Sequence, residues 1–108
     1  MKVNILGTTY SIEYVSEESD SRIEESYGFT DSSVKEIGIR RLEEQADSLK
    51  DMKSFEKKVA RHEIVHAFME ESGLREECSF ARNEELIDWI AIQLPKIVLA
   101  CEEAKALY

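Results

Sequence analysis

The chain has 108 residues, 43% of them apolar and 34% charged, the balance of one soluble globular domain with a small core. Its net charge of −9 argues against nucleic-acid backbones and anionic membranes as partners, since both would repel it. No apolar run is long enough to span a bilayer, no signal-peptide pattern stands at the start, and Cys78 and Cys101 read as reduced thiols, so a cytoplasmic protein is expected.

In chain order, the first fifteen residues read as a β-hairpin. Val3 and Ile5, then Tyr10, Ile12 and Tyr14, alternate with polar residues, and Gly7 with its neighbouring threonines supplies the turn. Ser16 to Ser26 is acidic and serine-rich around a single Ile23 and reads as a solvated loop or a short exposed helix. A second hairpin follows. Tyr27 and Phe29 lead into the turn cluster Asp31-Ser32-Ser33, and Glu36 to Arg40 alternates with Ile37 and Ile39 on one face. Gly38 inside that strand costs stability, or marks a bulge or a close backbone approach. Arg41 to Asp51 is charged and reads as helical or irregular.

From Met52 the period becomes helical. Phe55, Val59, His62, His66 and Met69 fall three or four residues apart on one face. Ile64, Val65 and Phe68 make other faces apolar too, so this helix is expected at the buried centre of the domain. Gly73 is a natural stop, and Leu74 to Ala81 is a connection. Asn83 caps a second helix with Glu84 and Glu85 in its first turn, where the helix dipole favours carboxylates. That helix runs to about Leu94. Pro95 either opens a further helix or kinks a continuous one, and Lys96 to Tyr108 closes the chain as helix. No internal repeat or low-complexity linker divides the chain, so residues 1–108 are read as a single domain.

His62-Glu63-Ile64-Val65-His66 is an H-E-x-x-H sequence inside the periodic helix. Residues four apart lie one above the other, so both imidazoles can reach one metal ion, and Glu63 can reach a water beside it. Three fixed positions arise by chance in roughly one chain of this length in a hundred, so context decides. The two histidines of the motif are the only two in the chain, and they sit where the geometry requires. Zinc is the expected metal. With no third histidine, the remaining protein ligand must be a carboxylate or a thiolate. Cys78 lies between the two halves of the pattern, though a small buried hydrophobe is its ordinary role. The better source is Asn83-Glu84-Glu85-Leu86-Ile87-Asp88. There Glu84 and Asp88 share a helix face, so that one can ligate while the other holds the second nitrogen of a zinc-bound histidine.

His62-Glu63-x-x-His66 followed by Asn83-Glu84-x-x-x-Asp88 resembles the gluzincin signature of thermolysin-like peptidases. That resemblance implies zinc held by His62, His66 and Glu84, with Asp88 hydrogen-bonded to a ligand histidine. Glu85 to Pro95 also resembles a region of the ImmA/IrrE-type metallopeptidases, and that alignment favours Glu85 as the third ligand. The chain as a whole looks like small metallopeptidase-like proteins of phages and mobile elements. It departs from thermolysin-like enzymes in being far shorter and in having no further histidine to stabilise the tetrahedral intermediate. Tyr10, Tyr14, Tyr27, Arg40, Arg41 and Arg82 are the alternatives for that task.

Cys101 reads as near-core and Trp89 as packing between helices. Arg61 and Arg82 read as solvated charges, or as ligands for a substrate carboxylate. The fold expected is α+β, a small antiparallel sheet packed on the central H-E-x-x-H helix with one or two further helices, a reduced zincin-like arrangement. The function expected is a zinc-dependent peptidase acting on a protein or peptide, with Glu63 as general base. The competing expectation is an inactive, zinc-stabilised protein-interaction module whose metal is closed off by four protein ligands. A substrate cleft would be built on a sheet edge, expected at the Asp31 to Val34 turn and the strand Glu36 to Arg40.

Overall fold

The computed structural model describes residues 1–42 and 51–108, so most of the charged stretch from Arg41 to Asp51 lies outside the described residues. Strands β1 (Lys2–Ile5) and β2 (Thr8–Val15) form the first hairpin. Its turn residues Leu6 and Gly7 have φ of 51° and 91°, the paired positive values that match the twist of the flanking strands. Gly7 adopts its value without a Cβ clash, and its N–H is held by Asn4 Oδ1 at 2.8 Å. Strands β3 (Gly28–Asp31) and β4 (Glu36–Arg40) form the second hairpin, with Phe29 directly opposite Gly38. The Phe29 ring occupies the space into which a side chain at 38 would project, so Gly38 marks a close approach. The Arg22 guanidinium covers that ring at 4.4 Å and bonds to Asp20, Asp31 and Glu36, tying the acidic loop to the sheet. Within the loop a single 3-10 turn, Ser21–Ile23, buries Ile23 completely.

The expectation of an antiparallel sheet is corrected. β4 lies beside β2 and parallel to it, Ile12 opposite Ile37 and Tyr14 opposite Ile39, which gives a mixed sheet of order β1-β2-β4-β3. The edge expectation is corrected with it: β4 is paired on both sides, and the edges are β1 and β3. The cause is a long-range one. Tyr10 and Ile12 of β2 and Ile37 and Ile39 of β4 bury on one face and form a common apolar surface, which alternation within either hairpin does not specify.

Helix α1 (Met52–Glu71) crosses that surface. Asp51 caps it by accepting from Ser54 N at 3.1 Å, and Gly73 with φ of 81° follows its end in the left-handed conformation. The buried stripe is Val59, Glu63 and Ala67, one position round from the face that the histidines occupy. Ile64 and Val65 are half-buried and Phe68 is exposed, so α1 is covered on its sheet and α3 sides rather than enclosed. At its far end Glu71 accepts hydrogen bonds from Thr8, Tyr10 and Lys35 at 3.1, 2.7 and 2.6 Å, joining helix, hairpin and turn.

A four-residue helix, α2 (Leu74–Glu77), and a 3-10 turn (Ser79–Arg82) lead to α3 (Glu84–Glu103). Asn83 caps α3 by accepting from Leu86 N at 2.8 Å. Of the two readings of Pro95 the continuous helix holds: α3 runs through Pro95 and ends at Glu103, so Lys96 to Glu103 is helical as expected and the last five residues are not. Trp89, expected between helices, stands exposed on α3, whose inner face is taken by Ile87 and Ala91. Among the described residues no helix is long and apolar enough to cross a membrane.

Candidate metal centre

α1 and α3 lie side by side, and their facing polar residues build the site. His62 and His66, one turn apart on α1, have ring centroids 4.9 Å apart. Glu84, in the first turn of α3, reaches both: its Oε2 is 3.0 Å from His62 Nε2, and its Oε1 is 3.1 Å from His66 Nε2. One donor atom from each of the three lies within 4.8 Å of the others. Two ligands bound to a tetrahedral zinc at about 2.0–2.1 Å lie roughly 3.3 Å apart, and the observed His–Glu separations fall near that value. Two imidazoles and a carboxylate also suit zinc chemically. Glu85 is exposed and stands outside this group, as does Cys78.

One turn along α3, Asp88 Oδ1 meets His62 Nδ1 at 3.0 Å and accepts from Lys58 Nζ at 3.0 Å. That contact fixes the His62 ring with Nε2 turned toward Glu84, the orientation in which an outer carboxylate serves a metal-binding histidine. The hydrogen bond from Lys58, and then that with His62, hold the Asp88 carboxyl below the usual aspartate range. Lys58 precedes His62 by one turn on the same face, a spacing that was visible in the sequence though its role was not.

Glu63 faces the sheet. It is the one charged side chain buried among the described residues, 7% exposed. Thr30 Oγ1 on β3 lies 2.9 Å from both Glu63 O and Glu63 Oε1. Burial pushes the Glu63 carboxyl above its ordinary value, against the hydrogen bond from Thr30 and the attraction of His66 and His62. Gly28 makes room for this side chain. A Cβ at position 28 would fall 2.8 Å from Val59 Cγ1, 2.9 Å from Glu63 Cγ and 3.0 Å from Glu63 Oε2. Neither Gly28 nor Thr30 carries a local signal for this role, because the contact spans more than thirty residues of chain.

These groups open into a cleft of about 850 Å³ between β3, α1 and the start of α3. The rings of Tyr27 and Phe55, edge to face at 4.9 Å, form part of its wall. Of the residues considered for stabilising an intermediate, Tyr27 and Arg82 line this cleft, joined by Arg22 and Arg75. Tyr10 is buried against Glu71, and Arg40 is held by the carbonyls of Ile23 and Ser26, so both are committed elsewhere. Tyr14 and Arg41 do not line the cleft. Arg82 Nη1 bonds to the carbonyl of Arg75. Arg61 is half-buried and does not line the cleft: its Nε donates to Ala91 O on α3 at 2.6 Å.

No protein-family model, no curated protein and no solved structure matches this chain.

Proposed function

We propose that the protein is a zinc-dependent peptidase, with His62, His66 and Glu84 as the metal ligands and a reduced zincin-like arrangement of sheet and helices. The observation that carries this reading is the convergence of those three donors within 4.8 Å, beside a buried glutamate and an open cleft. Zinc, when bound, supplies Lewis acidity and lowers the pKa of water. The chain's own residues supply the rest. Asp88 orients His62. Thr30 holds Oε1 of Glu63, so that its other oxygen takes a proton from the attacking water and later delivers it to the leaving amine. β3 is the free sheet edge beside this group, and an extended peptide pairs with it by strand addition. Tyr27 and Arg82 are the groups available to a developing oxyanion. The position of Cys78 outside the donor group supports a site with room for water over the alternative of an inactive zinc-stabilised interaction module closed by four protein ligands.

The test begins with the zinc content of purified wild type beside His66→Ala, Glu84→Ala and Glu85→Ala. About one zinc per chain, lost with His66 and Glu84 but kept without Glu85, is expected. Peptide hydrolysis by wild type and Glu63→Gln follows. Zinc retained with turnover abolished in Glu63→Gln is the expected result, and full activity in that variant would sink the mechanism.

A further inference from the structure

Proline in the middle of a helix withholds one N–H, and its ring crowds the carbonyl four residues earlier. In α3 that proline is Pro95, and the carbonyl is that of Ala91. Ala91 is fully buried against α1, so the orphaned acceptor has no route to water through its own side. Arg61 supplies the donor: its Nε reaches Ala91 O at 2.6 Å. We infer that Arg61 and Pro95 form a register clamp between α1 and α3, and that Arg61 is a positioning residue for the metal centre. This bond joins those of Asp88 to Lys58 and His62 and of Glu84 to the two imidazoles in fixing the height of α3 on α1, and it is the one that ties down the backbone of α3. Arg61 immediately precedes His62, and Ala91 lies three residues beyond Asp88 and seven beyond Glu84, all within two turns. A slide of α3 at the clamp therefore moves Asp88 away from His62 and Glu84 away from both imidazoles. Without the proline, Ala91 O would be satisfied inside its own helix, and Arg61 would no longer be needed as its donor.

The consequence for metal rests on the function proposed above, whereas the clamp itself does not. The experiment is a double-mutant cycle with Arg61→Met, which keeps an apolar stem out to the position of Nε and removes the donor, and Pro95→Ala, which restores the N–H. Two readouts use metal-free protein, the melting temperature and the imidazole proton resonances of the two histidines. A third is the dissociation constant for zinc. Arg61→Met alone is expected to lower the melting temperature by roughly 5 °C or more, shift both imidazole signals, and weaken zinc binding roughly tenfold. Arg61→Met in the Pro95→Ala background is expected to do little on any of the three. Equal effects of Arg61→Met in the two backgrounds would overturn the clamp, because the arginine would then act through something other than the orphaned carbonyl. Coupling in melting temperature with unmoved imidazole signals would overturn the positioning role. A wild type that takes up no zinc defeats the proposed function alone, and the metal-free readouts still decide the clamp. Should Arg61→Met fail to fold, recovery of folded protein and native imidazole signals in the double variant is the supporting result, and failure of both is the opposing one.

Discussion

Replacing Gly28 by alanine adds one methyl group at the point where β3 meets α1. That methyl would sit 2.8 Å from Val59 Cγ1, 2.9 Å from Glu63 Cγ and 3.0 Å from Glu63 Oε2, whereas ordinary contacts begin near 3.4 Å. The helix stripe it strikes is packed against the sheet and cannot swing aside as an exposed side chain would, so strand and helix must part or the Glu63 side chain must leave its place. Overpacking of this kind costs about 1–3 kcal/mol, which for a domain of this size lowers the melting temperature by about 5–15 °C. The chemical consequence is separable from the loss of stability. A Cβ at position 28 would meet Val59 and Glu63 rather than His62, His66 or Glu84, so zinc content is expected to stay at the wild-type level. With Glu63 as the proposed proton acceptor displaced by several tenths of an ångström, kcat is expected to fall ~10- to 100-fold. Thermal unfolding, metal analysis and hydrolysis of a peptide substrate at temperatures well below the transition measure the three quantities. A variant that melts within about 1 °C of wild type would refute the packing argument. One that melts early yet turns over at the wild-type rate would refute the link between β3 and Glu63.

Asp88→Asn removes the charge that orients His62 and is expected to weaken zinc binding ~10- to 100-fold, read by competition with a chromogenic chelator; unchanged affinity would show that His62 is oriented without it. Thr30→Val, which keeps the shape and deletes the hydroxyl, is expected to depress kcat with KM and zinc content unchanged, and Thr30→Ser to restore it; equal loss in both would assign the effect to packing instead. Glu71 is held below the ordinary glutamate value by Lys35 first, then by Tyr10 and Thr8. A depressed folded pKa contributes stability that is complete above the unfolded value of 4.5 and is lost as pH falls through the lower folded one. The melting-temperature gap between wild type and Glu71→Gln is therefore expected to be widest near neutral pH and to close as the pH drops below 4.5; a gap constant down to pH 3 would contradict this.

What could be read from the chain alone was what neighbouring residues impose on each other. The turn at Gly7, the pairing of the second hairpin, the start of α1 at Met52, the stop at Gly73 and the cap at Asn83 are all local matters of φ, capping and period. The H-E-x-x-H spacing and the Glu84-to-Asp88 face belong to the same class, since four residues of helix fix their juxtaposition. The features that escaped need contacts between distant segments. Insertion of β4 between β2 and β3 depends on which apolar faces merge, and it alone makes β3 the edge. Pro95 reads as the start of a further helix or a kink in a continuous one, and the sequence does not show that Arg61, thirty-four residues earlier in the chain, satisfies the carbonyl that the proline orphans. Arg61 itself reads as a surface charge for the same reason. Trp89 reads as core because α3 is apolar on several faces, and only the partner helix decides which face is covered.

The five-residue motif also divides its work between two sides of α1. His62 and His66 lie one turn apart, their rings tilted by 56°, and face α3, while Glu63, about 100° round the helix, faces the sheet. The proposed metal ligands are thus set by helix-to-helix contacts, through Glu84, Asp88 and the Arg61 bond. Glu63, the proposed proton acceptor, is set by helix-to-strand contacts, through Thr30 and the space left by Gly28. The two supports share no residue apart from the helix itself. It follows that substitutions on α3 should act chiefly on metal affinity, with Glu84 reaching Glu63 only through its charge, while substitutions on β3 should act chiefly on turnover. The edge strand that shapes the acceptor's pocket is also the one on which a peptide would pair. A substrate seated on β3 would then press on the strand that holds Thr30, so the position of Glu63 responds to occupancy of the cleft while the ligand set does not. A peptide that pairs with β3 should accordingly protect the amides of Gly28 to Asp31 from hydrogen exchange without changing zinc affinity. Protection elsewhere, with β3 exchanging as before, would mean that the cleft is entered from another side.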